Sequence, residues 1–404
     1  MALCTAAFDT EFSADSVEFC PVKDYQQYAA VGTYQVLDPL TSEDSKAATQ
    51  TNRTGRLYVY DVDQSASPCA DHSGEGNALQ VKEVYRQDTS AVLDIKWSHQ
   101  ILNDAPVAAV VTSTGDTHIM PINSKGEMKV DMSLSNSKTN ILSLSVDWAN
   151  RININAGYSL AVSESDGSIS NLTITPDAGL VKQREWEAHQ FEAWIVGFNY
   201  HQTSTIYSGG DDCLFKGWDT RQDGNTPTFI NKSHQAGVCS IASHPVWEHI
   251  LATGSYDESI YIWDTRSIKR PVSTIPTGGG VWRLKWHPTD PQLLLSACMY
   301  NGFHIYRVAS QDAPKIDHIQ EYMGHKSIAY GADWSYSGGI QGSTECRSIV
   351  GTCSFYDHLL HFWIRASRES TNPRLLKWRA VILGHYASLV LSRHTAFLIE
   401  DGFS

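Results

Sequence analysis

The sequence lacks the features that mark secreted, zinc-binding and membrane-spanning proteins. Its eight cysteines are scattered over 404 residues without a Cys-x-x-Cys pair, which argues against a disulfide framework or structural zinc and favours free thiols. The first residues carry Asp9 and Glu11 beside a short apolar run, and this pattern does not predict a secretory signal. No apolar run is long enough to span a membrane. We therefore expect a cytoplasmic, metal-free protein.

Positive charge is also scarce. Lys and Arg number 31 against 44 Asp and Glu, which gives a formal net charge of -13 at pH 7. This balance opposes broad attraction to nucleic acids or anionic membranes. The expected ligands are protein partners or small substrates, and we expect no cofactor.

Charged residues of both signs make up only 19% of the chain, whereas it contains 12 Trp, 18 Tyr and 28 Gly. Such a composition favours many short strands and tight turns over helices. A chain of this length could form two or three ordinary domains, unless a repeat fold accounts for its length. The composition therefore predicts an all-β fold.

An internal repeat is the strongest signal in the sequence. Shifting residues 188–221 by 45 positions aligns them with 233–266, and eight informative identities result. Both copies end in Trp-Asp-Thr-Arg. A period of about 40 to 45 residues that ends in Trp-Asp is typical of WD40 β-propellers, in which each blade has four strands.

Each copy also contains a His, a Ser or Thr, an Asp and a Trp at the spacing of a hydrogen-bonded tetrad, which locks a blade by satisfying its buried polar groups. The fourth and fifth blades are predicted to contain complete tetrads, and the seventh is predicted to contain three of the residues. They are His189, Ser208, Asp212 and Trp218; His234, Thr253, Asp257 and Trp263; and His325, Asp357 and Trp363.

Weaker copies complete a seven-bladed propeller over residues 1–365. The predicted blades cover about 13–63, 90–123, 140–175, 188–221, 233–266, 277–308 and 324–363. The first is interrupted by a polar insertion at 38–56. A segment near Thr5 to Phe12 is expected to close the ring as the outer strand of the last blade. Residues 366–404 have no blade pattern, and a helix, a disordered tail and an alternative terminus all remain open.

Blade six departs most from the repeat. Thr277, Tyr300 and Tyr306 occupy the positions of the tetrad His, Asp and Trp, so we expect no tetrad there. Residues 278–283 read Gly-Gly-Gly-Val-Trp-Arg and lead into the strand that lines the central channel. Either the glycines form a tight turn while Trp282 fills a gap between blades, or this run marks a functional site near the channel mouth.

Three stretches resemble a known family. Phe12–Pro21, Gly278–Pro288 and Cys353–Trp363 are similar to WD40 proteins that act as diphthine methylesterase in diphthamide biosynthesis. The resemblance implies hydrolysis of the methyl ester on an intermediate of the modified histidine of elongation factor 2, which would be the protein substrate. It supplies no catalytic residues that can be transferred.

Candidate site residues therefore come from the local departures alone. His358 follows Asp357 in a turn on the same face as the glycine run, and it is either a general base or a solvated turn residue. Arg283 is predicted to anchor a carboxylate or oxyanion, with Trp282 beside it. The backbone N–H groups of Gly279 and Gly280 are predicted donors to the substrate.

A second hypothesis is a non-catalytic adaptor. Trp218 to Arg221 and Trp263 to Arg266 resemble the paired Trp-Asp-x-Arg boxes of WD40 substrate receptors for cullin-RING ubiquitin ligases. The same motif is common at the end of an ordinary third strand. A turnover assay distinguishes the two hypotheses. The closed blade count predicts a monomer.

Overall fold

The computed structural model describes residues 2–37, 52–63, 79–222, 226–337 and 345–368. These ranges contain 28 β-strands, labelled in chain order from β1 (Ala2–Asp9). Blades one to four consist of β2 (Ser13–Phe19), β3 (Tyr28–Val36), β4 (Arg53–Asp63) and β5 (Gln80–Ser90); β6 (Val92–Leu102), β7 (Ala105–Thr112), β8 (Asp116–Pro121) and β9 (Met132–Ser135); β10 (Ser143–Trp148), β11 (Ser159–Glu164), β12 (Ser168–Thr175) and β13 (Gly179–Glu187); and β14 (Ile195–Phe198), β15 (Thr205–Gly209), β16 (Phe215–Asp219) and β17 (Phe229–Asn231).

The remaining strands form blades five to seven. They are β18 (Val238–Ser243), β19 (Ile250–Ser255), β20 (Ser259–Asp264) and β21 (Ser273–Pro276); β22 (Arg283–Trp286), β23 (Leu293–Ala297), β24 (Phe303–Val308) and β25 (Ile316–Tyr322); and β26 (Ala329–Trp334), β27 (Glu345–Ser354) and β28 (Leu359–Arg368). Two short 3-10 helices, Ala149–Arg151 and Ile154–Ala156, follow β10. No helix in the described ranges is long and apolar enough to cross a membrane.

The strands form seven four-stranded antiparallel sheets, which confirms the predicted seven-bladed all-β propeller. The first strand of each blade, here called strand a, contacts the first strands of both neighbouring blades and so lines a central channel. Blade seven is completed by β1, which pairs with β28 from Ala2 opposite Arg365 to Asp9 opposite Leu359. The ring is therefore closed by the N-terminal strand, which lies slightly earlier than the predicted segment.

The predicted ranges of blades one to six ended too early, because each omitted its fourth strand. Examples are β17 and β21, which are three and four residues long and only partly buried. The last strand extends to Arg368, three residues beyond the predicted propeller boundary. Most of the predicted insertion in blade one and residues 369–404 lie outside the described residues.

Buried tryptophans on the strands a tie neighbouring blades together. Each donates its indole N–H to a backbone carbonyl on strand a of the preceding blade, which satisfies a polar group that burial would otherwise penalise. The four pairs are Trp97 with Glu18 at 3.0 Å, Trp148 with Lys96 at 2.8 Å, Trp286 with Ala242 at 3.0 Å and Trp334 with Lys285 at 3.0 Å. These bonds hold the channel walls in a fixed register.

The tetrad residues of blade five form a continuous hydrogen-bonded chain. His234 Nδ1 lies 2.8 Å from Asp257 Oδ2, and its Nε2 lies 2.8 Å from Thr253 Oγ1, which also accepts the Trp263 indole N–H at 2.8 Å. Blade four has the same arrangement, with distances of 2.8 to 2.9 Å.

Blade seven contains a variant of the tetrad. His325 contacts Thr352 and Ser354, and Ser354 in turn donates to Asp357, so a serine lies between the His and the Asp. The indole N–H of Trp363 donates to Thr352 at 3.1 Å.

Blade six has other polar contacts where the tetrad would be. Thr277 Oγ1 donates to the Gly279 carbonyl at 2.7 Å, and Ser296 Oγ lies 3.0 Å from Cys298 Sγ. Tyr300 is 84% exposed and takes no part. The expected loss of the His, Asp and Trp contacts is therefore correct, but the blade is not without polar contacts, because smaller side chains satisfy each other and the backbone.

Candidate active site at the channel mouth

One residue near the start of strand a has an equivalent position in each blade. In five blades, strand a has a register break against strand b, and the additional residue is Asp15, Leu93, Leu144, Cys239 or Tyr330. In blade five, Val238 precedes Cys239 and donates its backbone N–H to a carbonyl of the preceding blade. Ala193 in blade four and Val281 in blade six make the same bond, and the residues that follow them are Trp194 and Trp282. Bulges of this kind redirect side chains near functional sites. We call these seven residues the mouth ring.

Aromatic side chains cover one side of the mouth ring. Trp282 lies 5.8 Å from Trp194 and 4.7 Å from Tyr330, measured between ring centroids. Tyr256 contacts both tryptophans, and Phe355 packs on Tyr330 at 4.8 Å. Trp282 therefore lies within an aromatic wall that extends over blades four to seven.

The Gly278–Gly280 run forms the edge of this wall. A Cβ atom on Gly279 would lie only 2.3 Å from the carbonyl oxygen of Cys298, so the close approach of the two loops requires glycine here. The amide N–H groups of Gly279 and Gly280 have no backbone acceptor within the described ranges. The run thus has a structural role in the turn, and its two buried amides keep donor capacity that the described backbone does not use.

A layer of ion pairs closes the channel below the mouth ring. This channel network consists of Glu18, Asp94, Lys96, Arg283, Lys285 and Asp333, all on strands a. Lys96 Nζ lies 2.8 Å from Glu18 and 2.5 Å from Asp94, while Lys285 Nζ lies 2.6 Å from Glu18 and 3.6 Å from Asp333. These pairs link blades one, two, six and seven across the channel.

Arg283 belongs to this network. Its Nη2 lies 3.5 Å from Asp94 Oδ1, and the residue is only 7% exposed. Burial alone would lower the pKa of Arg283, but the negative charges of Asp94 and Asp15 outweigh it and raise that pKa. The guanidinium is therefore a fixed cation directly beneath the mouth ring.

Asp15 is the one carboxyl group in the mouth ring, and the sequence-based prediction missed it. It is 4% exposed and close enough to Tyr330 and Arg283 to affect the pKa values of both. Burial raises the pKa of Asp15 to about 8, partly offset by the nearby positive charge of Arg283. Asp15 belongs to the Phe12–Pro21 stretch, which indicated the family resemblance. That stretch could also have pointed to Asp15 as a candidate site residue.

His358 occupies a conformation shared by several blades. Its φ is +56°, and Cys213 and Glu258 have values of +63° and +61° at the equivalent turn position. The His358 carbonyl accepts the Thr10 N–H at 2.8 Å, just as Glu258 accepts that of Thr277. Among the residues that the structure describes, no hydrogen-bond partner is recorded for its imidazole. The turn explains the backbone of His358 but does not orient its side chain.

The two Trp-Asp-x-Arg boxes lie at the ends of their third strands. Arg221 and Arg266 have side-chain exposures of 66% and 64%, and each pairs with the aspartate of its own box at 2.7 and 2.6 Å. Their guanidinium groups are accessible, but the local pairing is what an ordinary strand end would show.

The fold and tetrads define a class, the WD40-repeat proteins. The family described as "WD domain, G-beta repeat" matches residues 225–264. A chain in the structure titled "Crystal Structure of Mitotic Checkpoint Complex" superposes with a TM-score of 0.63, covering 90% of this chain and 92% of that one, at 19% identity. At that identity the likeness concerns the fold alone.

Two relatives narrow the class to a family. "Diphthine methyltransferase" of Mus musculus is 42% identical over 340 residues, covering 82% of this chain and 69% of the relative. "Diphthine methyltransferase homolog" of Dictyostelium discoideum is 38% identical over 379 residues, covering 88% and 97%. This chain therefore belongs to the diphthine methyltransferase family, and the resemblance inferred from its three stretches is confirmed.

Proposed function

We propose that this protein is a hydrolase that removes the methyl group of the diphthine methyl ester on elongation factor 2 during diphthamide biosynthesis. Family membership is the observation that carries the proposal, because relatives named for diphthine extend over most of the chain. In support, Trp282, which lies among aromatic rings, and the buried cation Arg283 are neighbours in blade six. The Gly279 and Gly280 amides come from nearby positions of the same blade and have no backbone acceptor within the described ranges. Such a site suits a small ester on the surface of a large protein.

The proposed chemistry uses groups at the mouth of blades six and seven. Trp282 would cover the ester and limit the access of bulk water. Arg283 would stabilise negative charge, either on a substrate carboxylate or on the oxyanion that forms when water attacks the ester carbonyl. The N–H groups of Gly279 and Gly280 would supply further donors, and His358 is a candidate general base.

The family name suggests methyl transfer, so the test must separate transfer from hydrolysis. Purified protein is incubated with the methyl-ester form of elongation factor 2, with and without a methyl donor, and the intact substrate is weighed by mass spectrometry. Hydrolysis predicts loss of one methylene, release of methanol and no need for the donor. A gain in mass that depends on the donor would contradict the proposal.

A matched pair of arginine variants tests the location of the site. Arg283→Ala should reduce turnover strongly, because it removes the buried cation beneath the mouth. Arg266→Ala removes an exposed arginine outside the channel and should leave turnover unchanged. Binding of partners without turnover by the wild type would instead favour the adaptor hypothesis.

A further inference from the structure

We infer that Asp15 is the catalytic carboxylate that accepts a proton from the attacking water. This inference rests on the proposed ester hydrolysis and deepens it by naming a group that acts on the nucleophile. It concerns a residue in blade one, outside the blades on which the sequence-based site was placed.

The position of Asp15 is the first support. Asp15 is the additional residue at the register break between Ala14 and Ser16, so it has the same place in its blade as Tyr330 has in blade seven. Leu93 and Leu144 occupy that place in blades two and three. A carboxyl group thus stands where these blades have an apolar or aromatic side chain, and it interacts electrostatically with Arg283.

The lack of a structural partner is the second support. Other channel carboxylates have structural roles: Asp94 accepts the Val146 N–H, Asp333 accepts that of Phe19, and Asp147 pairs with Arg151. For Asp15, the described residues provide neither a hydrogen bond nor an ion pair. A nearly buried carboxyl group without a partner is costly to the fold, which points to a role toward a ligand.

Burial and the surrounding charges explain why the pKa of Asp15 is raised. The three cations of the channel network face three other carboxyl groups, so a negative charge on Asp15 has no cation of its own. Burial has the largest effect and raises the pKa of Asp15. Among the charged groups, Arg283 from blade six and Lys96 from blade two lower this pKa, whereas Asp94 from blade two raises it. The titratable groups Tyr256, Tyr330 and Cys353 face it from blades five and seven.

The proposed reaction balances without a co-reactant. The Asp15 carboxylate takes a proton from water as the water oxygen bonds to the ester carbonyl carbon, and Arg283 stabilises the resulting oxyanion. When the intermediate collapses, the carbon–methoxy bond breaks and protonated Asp15 returns its proton to the methoxy oxygen. The products are methanol and the substrate carboxylic acid, which then ionises, and Asp15 is again a carboxylate.

The test compares turnover and stability in the wild type, Asp15→Asn and the control Asp147→Asn. Asp15→Asn should reduce single-turnover hydrolysis about 10²-fold or more, while its melting temperature at pH 8 should equal or exceed that of the wild type. Asp147→Asn loses the contact with Arg151, so its melting temperature should fall while its turnover stays within about twofold of wild type. A residue that merely supported the fold would show the opposite combination at Asp15.

The pH profile provides a second measurement that needs no variant. Hydrolysis by the wild type should rise with pH through an inflection near pH 8 and level off above it, because the base is competent only when ionised. A profile that is flat from pH 6 to 9, or one with its inflection near the ordinary histidine value of about 6.5, would overturn the inference. The same profile decides the matter if Asp15→Asn does not fold.

The outcomes separate the two proposals. Hydrolysis by the wild type with nearly full activity in Asp15→Asn rejects the role of Asp15 but leaves the esterase function intact. An inactive wild type, tested with substrate verified by mass, rejects both.

Discussion

The blade-five tetrad allows a quantitative test of how the propeller is held together. His234→Ala removes the imidazole that joins Asp257 to Thr253, both at 2.8 Å. It also removes the ring stacked on Tyr261 at 4.1 Å. Asp257→Ala removes the other end of the same chain. Neither residue belongs to the mouth ring, although Asp257 follows Tyr256 of the aromatic wall, so we expect stability to change more than turnover per folded molecule.

The magnitude follows from the bonds that are lost. Each variant leaves a buried partner unpaired, at a cost of about 1 to 3 kcal/mol in the free energy of unfolding. His234→Ala should lie at the upper end, because two hydrogen bonds and a stacking contact are lost. The double variant should cost less than the sum of the single variants by about 1 kcal/mol, since both break one network.

The pH dependence of the tetrad has a defined sign. Burial would raise the pKa of Asp257, but the hydrogen bonds from His234 and the Gln235 N–H outweigh it and lower that pKa. The stabilisation by Asp257 is therefore present above its unfolded-state pKa and is lost as the pH falls through the lower folded-state value. The stability difference between wild type and Asp257→Ala should accordingly shrink in acid.

The assay is chemical denaturation of the wild type, both single variants, the double variant and the half-exposed control His249→Ala. The control should change the free energy of unfolding by less than about 0.5 kcal/mol. Strictly additive effects, or unchanged midpoints in both single variants, would refute the tetrad as the element that locks the blade.

Three further predictions concern the mouth. His358→Ala should fold normally, and if His358 were the general base its turnover would fall about 10²-fold; the Asp15 mechanism instead predicts a change of only a few fold. Arg283→Lys should restore little of the activity lost in Arg283→Ala, because an ammonium cannot reproduce the planar guanidinium, and single-turnover rates of both variants test this. Gly279→Ala should lower the free energy of unfolding by about 1 to 3 kcal/mol, since its methyl group would meet the Cys298 carbonyl; an unchanged denaturation midpoint would contradict that packing.

Sequence alone predicted those parts of the fold in which the same buried polar contacts recur from blade to blade. The tetrads of blades four and five were recognisable because buried His and Asp groups need each other at a fixed spacing. The fourth strands of blades one to six were missed because their pairing is mainly through the backbone. In β21, for example, Ser273–Pro276 alternates partly buried and exposed residues and has none of the tetrad residues.

The candidate site was only partly predictable for a related reason. Trp282 and Arg283 stood out because blade six visibly departs from the repeat. Asp15 did not stand out, because blade one matches the repeat only weakly. In such a segment, the sequence does not distinguish a buried aspartate from one on the surface. The character of Asp15 arises from a register break that turns it toward Arg283, a residue 268 positions later in the chain. That proximity exists only once the ring has closed.

Hydrolysis in water enriched with ¹⁸O is the most direct test of the central claim. We predict that demethylation of the methyl-ester form of elongation factor 2 places one ¹⁸O atom in the substrate carboxylate and releases unlabelled methanol, since water attacks the carbonyl carbon. Label in the methanol, or demethylation without any incorporation of ¹⁸O, would contradict the account.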